Sequence, residues 1–241
     1  MTLLRWHGAP NGYRVAFSTR VGGISDGPFR SLNVGLLTGD DPDRVVENRR
    51  RLCHAVGADP GTAAMALQVH GARVTEARPL GVLTPGTEYE PCDGLWTKEP
   101  GQAMLLVTAD CFPVALARAS DRPGLAVLHV GWRGLLEGVA ASGVEALQDG
   151  VIHAAIGPGI GGCCYEVGQE VAAPFRARFG EDVVRGRNLD LGLATERALR
   201  EAGVVSIERL GGCTACDPGL YFSHRRDRGR TGRQGVVALL A

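Results

Sequence analysis

The sequence predicts an α+β fold, a single domain of mixed β-sheets covered by helices that spans residues 1–241. Three observations carry this expectation. At about 150 residues per domain, 241 residues admit one large domain or two small ones. No internal repeat and no linker-like shift in composition divides the chain, which favours one. With 44% hydrophobic and 22% charged residues, the chain has the apolar material for a sizeable core, so disorder as its main state is excluded. Strand-like and helix-like runs interleave without strict βαβ alternation, the pattern of a mixed sheet.

Each element has its own signal. Tyr13 to Thr19 is a β-rich run that enters the turn at Gly22-Gly23. Asp41-Pro42 opens a helix, with Asp41 as N-cap and Pro42 at the first helical position. Val45, Val46, Leu52 and Val56 form its apolar stripe, and Gly57 closes it. Met65 to Val69 and Ala72 to Ala77 read as short strands around His70-Gly71. Ala103 to Thr108, Val114 to Ala117 and Leu125 to Val130 are apolar runs bounded by Asp, Pro and Gly, hence buried strands. A helix is expected from Gly134 to Gln148, then a strand from Val151 to Ile156. Two further helices are expected, about Val167 to Phe179 and Leu191 to Ala202, the second capped by Asp190. Val204 to Leu210 and Val236 to Leu240 complete the strands.

Composition also excludes classes of function. Lys+Arg and Asp+Glu balance at 26 each, so nothing announces a nucleic-acid or membrane surface. No basic segment followed by an apolar run opens the chain, and no apolar stretch approaches a membrane span, so neither a signal peptide nor a membrane anchor is expected. Seven cysteines, an odd number, do not suit a secreted disulfide framework, and reduced thiols in a cytoplasm are expected.

Several motifs lead nowhere on their own. Gly157 to Gly162 (GPGIGG) superficially resembles a dinucleotide fingerprint, but its spacing is wrong and a tight turn is expected. Cys213-Thr-Ala-Cys216 is a lone CxxC. A structural zinc site wants four ligands and no second CxxC or HxxxH accompanies it, so buried thiols are expected, with Cys163 and Cys164 buried as well. No GxSxG, HExxH or Walker sequence is present. What remains is His70, Cys111 and His129, each at a strand end beside a turn, where sites are usually assembled. Spacing alone does not bring these three together.

The segments FSTRVGGIS (17–25), SLNVG (31–35), ENRRRL (47–52), QVHG (68–71), TADCFPVAL (108–116), HVGWRG (129–134) and CCYEVG (163–168) occur in this order. With FSHRRDRGRTGRQG (222–235), they resemble the YfiH/laccase-domain family of purine nucleoside phosphorylases, some of whose members are called polyphenol oxidases or peptidoglycan editing factors. Val130 and His224 depart from the family's common Ala and Tyr, away from the expected ligands. The resemblance implies a YfiH-like fold and a zinc ion held by His70, Cys111 and His129, with copper the less favoured metal. Three protein ligands leave a fourth position open, as in catalytic zinc sites. The resemblance further implies phosphorolysis of adenosine, inosine, guanosine and methylthioadenosine, together with adenosine deamination. Zinc can lower the pKa of water to about 7, which suits attack on the purine.

Arginine suits phosphate through fixed, always-charged donors. Arg20, beside Gly22-Gly23, is the first candidate for phosphate or ribose, and Arg133 is the second, in a catalytic role. Asp110, next to Cys111, is the candidate acid/base or ligand-orienting carboxylate. Arg225, Arg226 and Asp227 read as an ion-pair network. Four alternatives stay open. A copper oxidase shares the His₂Cys set, although none of the six histidines is spaced HxH. A cysteine hydrolase would use Cys111 with His70 or His129. A cell-wall precursor editing enzyme would share the zinc site, and a non-enzymatic binding protein would leave the three donors unused.

Overall fold

The structure, a computed structural model, describes residues 1–81, 89–148 and 150–241. Its strands, in chain order, are β1 (Leu3–Arg5), β2 (Tyr13–Ser18), β3 (Val74–Glu76), β4 (Gly94–Thr97), β5 (Met104–Thr108), β6 (Phe112–Ala119), β7 (Gly124–Val130), β8 (Val151–Ile156), β9 (Val184–Arg185), β10 (Asn188–Leu189), β11 (Ser206–Arg209) and β12 (Gln234–Leu240). Its helices are α1 (Pro42–Val56), α2 (Trp132–Glu137), α3 (Val139–Ala146), α4 (Gln169–Phe179) and α5 (Leu191–Glu201).

Two sheets organise the molecule. One is antiparallel, in the order β1-β2-β12-β5. The other is mixed, in the order β11-β8-β6-β7-β4-β3, with antiparallel inner pairs and a parallel strand on each edge. β9 and β10 form a small separate hairpin. The α+β class with helix-covered sheets is therefore observed, and the mixing is confined to the larger sheet.

The strand period of two explains the layering. In β2, Val15 and Phe17 face the second sheet, and Ala16 faces α1. In β6, Ala115 and Ala117 face the first sheet, and Val114 and Leu116 face the other helices. β7 and β12 alternate in the same way, so both faces of the central strands are buried and the runs look continuously apolar. Leu52, Cys53 and Val56 of α1 cover the first sheet, and α2 to α5 cover the second with residues such as Leu135, Val139, Phe175 and Leu199. The result is a helix–sheet–sheet–helix stack. Each fully buried Val, Leu or Phe contributes roughly 1.5–3 kcal/mol to it.

Capping follows chemistry. Asp41 accepts hydrogen bonds from the Asp43 and Arg44 N–H groups, and Gly57, at φ 77°, ends α1 in the left-handed region. Asp190 accepts from the Leu193 N–H to start α5.

Two expected elements differ. Met65 to Val69 forms no ladder: its isolated bridge is from Leu67 to Pro91, next to one from Ala64 to Met104. The helix expected from Gly134 to Gln148 is broken into α2 and α3 at Gly138, whose φ of 99° suits glycine and caps α2. Among the described residues, no helix is long and apolar enough to cross a membrane.

Candidate metal centre

The site forms where the chain passes from one sheet to the other. β5 ends at Thr108 in the antiparallel sheet, and β6 starts at Phe112 in the mixed one. Asp110 makes the turn between them with φ 87°, placing Cys111 at its mouth. His129 lies near the end of β7, opposite Pro113 of β6. His70, with φ 63°, tops the QVHG loop, which the Gln68 side chain clamps to Val107 by donating to its carbonyl and accepting from its N–H.

These three elements bring together the residues that spacing could not join. The donor atoms of His70, Cys111 and His129 lie within 4.8 Å of one another. The two imidazoles meet edge to face, with centroids 4.8 Å apart. His129 is buried and His70 is exposed, so the cluster opens to solvent on one side.

Glycines make the approach possible. A Cβ on Gly131 would lie 2.9 Å from His70 Cδ2 and 3.2 Å from Cys111 Sγ. One on Gly134 would lie 2.5 Å from the Gly71 carbonyl oxygen. The HVGWRG segment thus lets the start of α2 close on the QVHG loop.

Asp93, fully buried just before β4, is the organising group that sequence reasoning missed. Its carboxylate accepts from the N–H groups of Val69 (3.1 Å), His70 (2.9 Å) and Gly71 (2.7 Å). It also lies 2.7 Å from His129 Nδ1, which leaves Nε2 as the donor nitrogen of that ring. One side chain therefore shapes the His70 loop and fixes the His129 ring. Burial alone would raise the Asp93 pKa, but His129 and the backbone N–H groups hold it below the usual carboxylate value. Its only sequence signal is a buried-looking acid before the glycine that starts an apolar run.

Burial would likewise raise the Cys111 thiol, yet His129 and then His70 outweigh it and hold it below the usual thiol range. His129 is correspondingly shifted upward, mainly by Cys111 and Asp93. A low-lying thiolate between two imidazoles is a strong donor set for zinc or another borderline-soft ion.

The remaining candidates separate. Asp110 is not free: Thr214 Oγ1 donates to one carboxylate oxygen at 2.6 Å and the Arg225 N–H to the other at 2.7 Å. It is held as a brace for the Cys111 turn. Arg133 is exposed at the start of α2, with its guanidinium 4.9 Å from the Trp132 ring centroid. Arg20 donates to the carbonyls of Arg30 (2.8 Å) and Pro218 (2.9 Å) and lies over the Phe222 ring. It lines a cleft of about 590 Å³ with Ser25, Arg30, Ser31 and Gly219, and none of the three donors lines that cleft. Arg226 does pair with Asp227, whereas Arg225 stacks over Tyr165 and donates to the Glu166 carbonyl. Arg233, half-buried, adds positive potential beside Cys111 and Asp110 and was not singled out from sequence.

The GPGIGG loop is a packed turn: Cβ atoms on Gly157 and Gly159 would strike the Phe17 and Phe112 rings. The buried-thiol expectation for Cys163, Cys164, Cys213 and Cys216 is corrected. Cys163 and Cys216 are exposed, Cys164 and Cys213 are partly so, and the four converge. Each pair lies in a surface loop, so no layer covers them.

Residues 14–241 match the profile of the multi-copper polyphenol oxidoreductase laccase family. A purine nucleoside phosphorylase of Deinococcus radiodurans is 40% identical over 232 residues, 92% of this chain and 87% of its own length. The crystal structure of YlmD from Geobacillus stearothermophilus superposes with a TM-score of 0.90 at 36% identity, covering 100% of this chain and 96% of that one. A YfiH protein of Bacillus licheniformis superposes with a TM-score of 0.88 at 32% identity, covering 96% and 94% of the two chains.

Proposed function

Because the chain belongs to the multi-copper polyphenol oxidoreductase laccase family, whose relatives include named purine nucleoside phosphorylases, we propose that it is a zinc-dependent purine nucleoside phosphorylase. The observation that carries this reading is the three-donor centre of His70, Cys111 and His129, open on one side and oriented from behind by Asp93. A zinc ion held there would supply Lewis acidity, acidifying water or withdrawing charge from the purine. Zinc is favoured over copper because the chain has no HxH pair from which a multicopper cluster is built.

Phosphorolysis breaks the ribose C1′–N bond and forms a C1′–O bond to phosphate, while the departing purine takes up a proton. The chain's own residues must hold phosphate on the face opposite the base. Arg133 is the less engaged of the two candidate arginines. Its guanidinium makes no hydrogen bond among the described residues, whereas Arg20 is engaged by two carbonyls. Asp110 acts as a positioning residue, locking the turn that presents Cys111. Adenosine, inosine, guanosine and methylthioadenosine are the proposed substrates, with adenosine deamination as a second reaction at the same centre.

The test is elemental analysis of the purified chain together with product identification from adenosine and inosine, with and without phosphate. Zinc with ribose 1-phosphate formation supports the reading. Stoichiometric copper with phenol oxidation and no phosphorolysis would replace it.

A further inference from the structure

A second cluster stands apart from the nucleoside site. We propose that Cys163, Cys164, Cys213 and Cys216 form a closed tetrathiolate site for a structural zinc ion, which ties two loops into the wall of the catalytic centre.

The four sulfurs lie within 4.8 Å of one another. Cys216 Sγ is 3.5 Å from Cys163 Sγ and 3.4 Å from Cys164 Sγ. A disulfide requires about 2.05 Å, so these pairs are not bonded to each other. Zinc–sulfur bonds of about 2.3 Å in a tetrahedron place sulfurs about 3.8 Å apart. The observed spacing is close to that edge, and the donor set is complete without water.

The backbone is shaped as a thiolate cradle. The Gly161 N–H donates to Cys213 Sγ at 3.2 Å. The Cys216 N–H donates to the Cys213 carbonyl, closing the CxxC into a tight turn. Facing it, the Cys164 and Tyr165 N–H groups both donate to the Gly161 carbonyl, folding the second loop back on itself. A Cβ on Gly161 would come within 3.2 Å of Cys163 Sγ and Cys213 Cβ, so glycine is what lets the loops converge. The isolated bridge from Gly159 to Cys213 joins them at their base.

Both loops continue directly into the neighbouring site. Thr214, inside the CxxC, donates to Asp110, the residue before Cys111. Tyr165, next after Cys164, carries the stacked Arg225, whose N–H holds the other Asp110 oxygen. An ion at the four cysteines therefore fixes the contacts that brace Asp110. Closed four-ligand zinc sites characteristically serve this kind of structural role.

The test uses the full chain carrying Cys111→Ser, which removes a donor from the other centre, reduced and loaded with zinc alone before gel filtration. About one zinc per chain, with X-ray absorption showing four sulfurs at about 2.3 Å, is the expected result. Adding Cys163→Ser, at an exposed position, should abolish that sulfur-only binding while the far-ultraviolet circular dichroism stays folded. Should this second variant unfold, thiol mapping on the Cys111→Ser chain decides: zinc should shield all four cysteines from an aromatic disulfide reagent until a chelator is added. Retained zinc without sulfur-only coordination, four immediately reactive thiols after zinc loading, or a native disulfide among the four would overturn the proposal.

Discussion

The two sulfur-containing clusters are built from similar atoms to different plans. At the His70, Cys111 and His129 centre, the three donors come from a loop, an inter-strand turn and the end of a strand, and a buried carboxylate orients the two histidines. At the four cysteines, the donors come as two close pairs on two tightly turned loops, with the Gly161 N–H donating to one of the sulfurs. Three donors leave a position for a reactant and four do not. Donor number and the orienting groups behind the donors, more than the presence of thiols, separate chemistry from scaffolding here.

The sharpest way to break this contrast is to remove a donor from each cluster in turn. Cys111→Ala should lower phosphorolysis and deamination by about 1,000-fold or more, the loss of several kcal/mol of metal catalysis. The same measurement on Cys163→Ser should show a far smaller loss, since only the bracing of Asp110 is loosened. Equal losses would erase the distinction between the two clusters.

Asp93→Asn comes next. It retains the volume but removes the charge that serves three N–H groups and the His129 ring. Loss of such an orienting partner typically costs 10–100-fold in metal affinity or activity. Competition with a chromophoric chelator measures it, and an unchanged zinc affinity would show that Asp93 is only packing.

The glycines allow a finer comparison. Gly131→Ala puts a methyl group against His70 and Cys111, so metal affinity should fall about tenfold while the fold persists. Gly138→Ala meets no atom within 4 Å but sits at φ 99°, so it should cost about 1–2 kcal/mol of stability and leave metal affinity alone. Denaturant melts and metal titrations on both variants separate the two effects.

The smallest expected effect on chemistry is at Arg20. Its two carbonyl hydrogen bonds and its place over Phe222 predict a stability loss on the order of 2 kcal/mol for Arg20→Ala. Phosphorolysis and deamination should then fall together. A selective loss of phosphorolysis would return Arg20 to the phosphate.

The core was legible because burial on both faces writes continuous apolar runs. β5 to β8 and β12 follow directly from them, and the caps of α1 and α5 follow from Asp41, Gly57 and Asp190. β4 escaped notice because Gly94–Thr97 is short, and its partners Val74–Glu76 and Gly124–Val130 are distant in sequence. The meeting of His70, Cys111 and His129 came from family resemblance, since 41 and 18 residues separate them. Asp93 and the convergence of the four cysteines were invisible for the same reason. Both depend on which loops the sheets bring side by side, and no local pattern encodes that.

The central claim is that metal at the three-donor centre enables nucleoside cleavage. Phosphate-dependent release of hypoxanthine from inosine tests it most directly, measured on the full chain stripped by chelator and again after zinc is returned. The account predicts a rate at background in the stripped protein and recovery when zinc is restored. A metal-free protein that cleaves inosine at the full rate would contradict it.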